Sequence, residues 1–139
     1  MKIKLFISII VLFAFISVPV NSDINGDIIT AECECGFKNT MMLGGGKLNF
    51  ETVFLFPYYC TECSEMKVLN ALSESHCCDK CNSGNVIPYD DESLRLHFSN
   101  NVVFSRSVDT VIHILYDDFY FCPKCKEFKM KFTQTGNWD

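Results

Sequence analysis

Near the end of the chain Phe128, Met130 and Phe132 alternate with Lys129 and Lys131, the period of a strand with one buried face and one wet face. Leu94-Arg95-Leu96-His97-Phe98 alternates in the same way and predicts a second half-buried strand. Ile28-Ile29-Thr30-Ala31 reads as a short strand, and Val86 to Tyr89 as a short extended piece. Leu48 to Tyr59 holds Phe50, Val53, Phe54, Leu55, Phe56, Tyr58 and Tyr59, a β-prone run that predicts a central strand of the core. Two segments have mixed periods. Met66, Val68, Leu69 and Leu72 suit a strand or one or two helical turns, with strand preferred. Val108, Val111, Ile112 and Leu115 suit a helix, whereas Thr110 to Tyr116 also suits a strand. Polar clusters at Ser73–His76, Asn82–Asn85 and Asp90–Glu92 predict turns and loops. Gly44-Gly45-Gly46 lacks the Lys-Ser/Thr and the following helix of a phosphate loop, and is expected to be a flexible turn. Trp138 is expected to cap the core. The fold class predicted is mainly β.

The first residues follow another logic. Met1-Lys2-Ile3-Lys4 precedes an apolar run from Leu5 to Val18, interrupted only by Ser8 and Ser17, and then Pro19-Val20-Asn21-Ser22. Basic start, short apolar stretch and small residues match the three regions of a secretory signal peptide, with cleavage expected after Ser22. A spanning helix needs about 20 apolar residues, more than this run supplies before Pro19. The expected organisation is therefore a signal peptide at 1–22 and one domain at 23–139, secreted or periplasmic. An uncleaved segment would instead anchor the domain to a membrane.

Eight of the nine cysteines fall into four close couples: Cys33/Cys35, Cys60/Cys63, Cys78/Cys81 and Cys122/Cys125. Two sulfurs on one tight turn, met by two from a second turn, make the tetrahedral thiolate set of a structural zinc ion. Eight such ligands predict two sites and two zinc ions. Export favours disulfides instead, because couples of this kind become metal sites more often in reducing compartments. Spacing argues the other way, since disulfide frameworks scatter their cysteines and a bridge inside C-x-x-C is strained. A tetrathiolate iron is a further alternative. Cys60/Cys63 and Cys78/Cys81 are separated by 14 residues, which favours a nested arrangement that leaves Cys33/Cys35 to meet Cys122/Cys125. A sequential pairing remains open. Cys77, beside Cys78, is expected to be a plain thiol, and His76, His97 and His113 ordinary turn or strand residues.

Through Glu32-Cys33-Glu34-Cys35-Gly36, Tyr59-Cys60-Thr61-Glu62-Cys63 and Phe121-Cys122-Pro123-Lys124-Cys125 the chain resembles zinc-ribbon and rubredoxin-like small proteins. The resemblance covers the cysteine turns alone and implies a fold element rather than an activity. Those proteins often carry glycine after the second cysteine. Here only Cys35 has one, and Ser64, Asn82 and Lys126 stand at the other three places. Asn82 tolerates the left-handed region; Ser64 and Lys126 are less suited to it.

Charge narrows the function. The net charge is −5, and without residues 1–22 it becomes −7, from 10 basic and 17 acidic residues. That excludes a nucleic-acid partner, which needs clustered Lys and Arg; Lys124, Lys126, Lys129 and Lys131 are read as a solvated face. Four thiolates leave zinc no open position for water or substrate. The carboxylates at Asp90-Asp91-Glu92 and Asp117-Asp118 read as solvated loops. The expectation is a non-enzymatic, zinc-stabilised structural or binding module, exported or membrane-associated, with a protein as partner. The alternatives are a thiol redox protein at Cys122-Pro123-Lys124-Cys125, which requires a helix after Cys125, and a rubredoxin-like electron carrier.

Overall fold

The computed structural model describes residues 25–139, so the expected signal peptide lies outside the described residues. Among the described residues ten strands form three antiparallel sheets. The largest has the order β2-β1-β10-β9-β6 and is built from β1 (Gly26–Cys33), β2 (Lys38–Leu43), β6 (Arg95–Leu96), β9 (Phe119–Phe121) and β10 (Phe128–Trp138). A second sheet, β4-β3-β5, joins β3 (Leu55–Cys60), β4 (Glu65–Asn70) and β5 (Val86–Pro88). β7 (Val102–Val108) and β8 (Val111–Tyr116) form a hairpin. One 3-10 turn, Glu92–Leu94, is capped by the Asp91 side chain accepting from the Ser93 N–H.

The alternating pattern of β10 holds in three dimensions. Met130 and Phe132 are buried while Lys129 is exposed, and each large apolar side chain removed from water contributes about 2–3 kcal/mol. Lys129 pairs with Glu127 at 3.2 Å and Lys131 with Asp117 at 2.8 Å. Aromatic rings fill the space between sheets. Tyr89, Tyr120 and Phe132 meet edge to face, and Phe54, Phe56 and Phe104 pack with His113, whose ring stacks on Phe56 at 4.3 Å.

Three segments depart from expectation. Only Leu55–Cys60 of the aromatic run is strand; Lys47 to Thr52 makes tight turns, closed by N–H groups of Thr52 and Val53 on the Asn49 carbonyl, and Leu48 is fully exposed. In Leu94–Phe98 the strand shrinks to Arg95–Leu96 at a sheet edge, and Leu96 and Phe98 face solvent. Gly44-Gly45-Gly46 is buried rather than a flexible turn: Gly44 and Leu55 exchange two backbone hydrogen bonds of 2.8 Å, which join the two larger sheets. Val111–Tyr116 resolves as strand. Trp138 is half-buried; its indole N–H donates to the Leu43 carbonyl at 3.0 Å, and its ring lies where a side chain on Gly26 would stand.

Candidate metal centres

β1 runs into the turn that carries Cys33 and Cys35, and β9 runs into the turn that carries Cys122 and Cys125. Because β1 pairs with β10, with Cys33 opposite Met130, the tips of the two hairpins lie side by side. The second site repeats this plan. β3 runs into the Cys60/Cys63 turn, and β5, which follows the Cys78/Cys81 turn, pairs back on β3 with Cys60 opposite Val86. In both sites the first cysteine faces the fifth residue after the last one, Met130 after Cys125 and Val86 after Cys81. The second unit is nested within the first.

Backbone hydrogen bonds shape the turns alike. The Cys78 N–H donates to Ser83 O at 2.8 Å and the Asn82 N–H to Cys78 O at 2.9 Å; for Cys122 the partners are Glu127 O and the Lys126 N–H, both at 2.9 Å. In the shorter Cys33-Glu34-Cys35 turn both spans contract by one residue, Cys33 N–H to Phe37 O and Gly36 N–H to Cys33 O, each 3.0 Å. The residue after each second cysteine is left-handed: Gly36 at φ 91°, Ser64 at 56°, Asn82 at 58° and Lys126 at 61°. The turns are therefore regular although only one carries glycine, at a cost of roughly 1–2 kcal/mol for each unsuited residue.

Cys33, Cys35, Cys122 and Cys125 form one group and Cys60, Cys63, Cys78 and Cys81 the other, with all four sulfurs of each group within 4.8 Å of one another. The nested arrangement is thus the one the fold adopts. Measured edges are 3.8 Å for Cys33–Cys125, 3.6 Å for Cys35–Cys122, 3.6 Å for Cys60–Cys81 and 3.7 Å for Cys63–Cys78. Tetrahedral thiolates about 2.3 Å from a metal have edges of about 3.8 Å. The donor set fits such an ion, and all nine cysteines are free thiols. Each group could hold a metal ion, compatible with zinc-ribbon-like sites.

The protons in each group are unevenly held. The Phe37 N–H lowers Cys35 to about 7, and the Cys81 N–H lowers Cys78 to about 6. Burial pushes Cys33 up to about 12 and raises Cys60 and Cys122, while the neighbouring Cys81 sulfur pushes Cys63 up to about 12. Four sulfurs at this spacing cannot all ionise alone; a bound cation would let them do so.

The other cysteine and the histidines stay outside both groups. Cys77 is exposed. His76 stacks on Tyr58 at 5.2 Å, His97 Nδ1 lies 3.1 Å from Asp118, and His113 Nδ1 lies 2.8 Å from Asp90. The last two contacts correct the reading of the acidic clusters as solvated loops. Asp118 is fully buried and accepts from the Phe98 and Ser99 N–H groups at 3.1 and 2.9 Å; Asp90 accepts from the Ile114 N–H at 3.2 Å. No local pattern marked these carboxylates, because their partners come from distant segments of the chain. After Cys125 the chain enters β10 rather than a helix. No family model, no curated protein and no solved structure matches the chain.

Proposed function

We propose that each four-cysteine group binds one zinc ion and that the protein is a non-enzymatic structural or binding module, exported through residues 1–22. Cys33, Cys35, Cys122 and Cys125 would hold one ion, and Cys60, Cys63, Cys78 and Cys81 the other. Zinc bound by four thiolates supplies folding energy and charge neutralisation, with no position left for substrate. The observation that carries the reading is the sulfur geometry, edges of 3.6–3.8 Å in two groups built on one plan. The left-handed Ser64 and Lys126 support it, since strain of this kind persists where surroundings over-determine the backbone. Redox chemistry of the glutaredoxin-like kind lacks the helix start that lowers its thiol pKa.

Native mass spectrometry tests this directly. The protein, in the form that accumulates in its expression host, should carry two zinc ions that a chelator removes, keep every cysteine as an alkylatable thiol, and begin at Asp23. A metal-free protein with four disulfides would overturn the metal reading; iron in place of zinc would turn it toward electron transfer.

A further inference from the structure

A cavity of about 720 Å³ lies at the opposite end of β1 and β10 from the first cysteine group. That size is within the range of about 300–1,000 Å³ that small-molecule sites occupy. Phe50 and Phe104 give it an apolar wall, and Asp27, Arg106, Gln134 and Asn137 bring polar groups to it.

The two charged residues are positioned separately. Asp27 sits on β1 opposite Asn137, and Gln134 Nε2 donates to its carboxylate at 3.0 Å. Arg106 comes from β7, and its terminal nitrogens donate to the Gly45 and Phe50 carbonyls, both at 3.2 Å. Gly44 and Gly45 make this possible, because a side chain on either would press on the guanidinium. Both partners of Arg106 are uncharged carbonyls, and among the described residues neither Arg106 nor Asp27 is in an ion pair. Burial raises the pKa of Asp27 and lowers that of Arg106, the mark of charges stripped of some of their water, and the attraction of each for the other across the cavity offsets this only in part. Opposite charges that face one cavity without touching leave part of their desolvation cost unmet. A guest with one charge of each sign offsets both.

We infer that this cavity binds a small zwitterion of the free amino acid class, its carboxylate toward Arg106, its ammonium toward Asp27 and its apolar part against Phe50 and Phe104. The inference stands on residues remote from the cysteine groups and is independent of the metal they hold.

Calorimetric titration with L-leucine and with ε-aminocaproate, beside the single-charge analogues isocaproate and isoamylamine, tests it. At least one zwitterion should bind with a Kd of roughly millimolar or below, and both analogues at least about tenfold more weakly, the loss expected for one charge-assisted hydrogen bond. Asp27→Asn should weaken zwitterion binding by a similar factor and leave isocaproate unchanged. It is preferred to a change at Arg106, which also braces the loop carrying Gly45 and Phe50. Should that variant fail to fold, the analogue comparison on the unaltered protein still decides. Binding of neither zwitterion at tens of millimolar, or equal binding of isocaproate, overturns the inference.

Discussion

The two cysteine groups share a plan but not an environment. Around the first, β9 and β10 flank the Cys122/Cys125 turn and pair with each other, and β1 and β2 do the same for Cys33/Cys35, so both turns are hairpin tips of a five-stranded sheet. Around the second, only Cys60/Cys63 closes a hairpin. The Cys78/Cys81 turn is approached by the irregular stretch from Ala71 to Cys77 and left by the three-residue β5. Cys81 is exposed, whereas every cysteine of the first group is at least half-buried. Surface pairs brace the second site: Lys80 and Lys67 both reach Glu65, and Lys67 also reaches Asp79 at 3.3 Å. The Lys80 pair is exposed and contributes little, whereas the Lys67 side chain is only 16% exposed. The same four-cysteine set can therefore be a keystone in one place and a local clip in another, according to how much regular structure converges on it.

The largest effect expected from this contrast is at the first group. On the proposed zinc reading, Cys122→Ser removes a ligand where four strands converge. Apparent binding energies of structural zinc, about 10–16 kcal/mol in small peptides, rival the whole stability of a domain. The variant should lose cooperative unfolding and the near-UV circular dichroism of its buried tyrosines; retention of both would show that the sheet stands without the metal. Cys81→Ser should be milder. One zinc equivalent should remain by mass, and faster amide exchange should be confined to residues between Ala71 and Val86, so global exchange would erase the distinction. In the unaltered protein a chromophoric chelator should take the second group's ion first.

Asp118 stands just before β9, the strand that leads into the Cys122/Cys125 turn of the first site. Burial raises its pKa, but the N–H groups of Phe98 and Ser99 and the His97 ring outweigh it, and the carboxyl is held below 3.8. A depressed folded value means stability that is present above the unfolded pKa and lost as pH falls through the folded one. Asp118→Asn should cost about 2–3 kcal/mol at neutral pH, with the gap to the unaltered protein closing below about pH 4 in urea titrations. A constant gap down to pH 2 would remove Asp118's charge from the account.

The smallest effects concern the strained turns. Ser64→Gly should stabilise by up to about 1 kcal/mol, since serine pays for the left-handed φ of 56° that glycine adopts freely. Lys126→Gly should gain less, because Lys126 Nζ also reaches the Tyr59 hydroxyl at 3.4 Å and lies over its ring. Thermal midpoints of the two zinc-loaded variants give the comparison.

Some of this molecule is written locally. The cysteine couples, the alternation of β10 and the strand leading to Cys33 depend on residues a few positions apart, and backbone sterics with a two-residue period suffice to specify them. Apolar content misled at Leu48–Phe54 and alternation at Leu94–Phe98, because β-prone side chains also serve on turns and sheet edges when the paired strands run elsewhere. The pairing of the couples was only narrowly readable, since a turn's spacing says nothing about which other turn lies beside it; the register of β1 against β10 and of β3 against β5 decided that. The burial of Asp118, the pairing of Asp90 with His113, and the meeting of Asp27 with Arg106 around one cavity were decided in the same way. Each joins residues from separate segments of the chain, and contacts between distant segments arise only when the sheets close on their core.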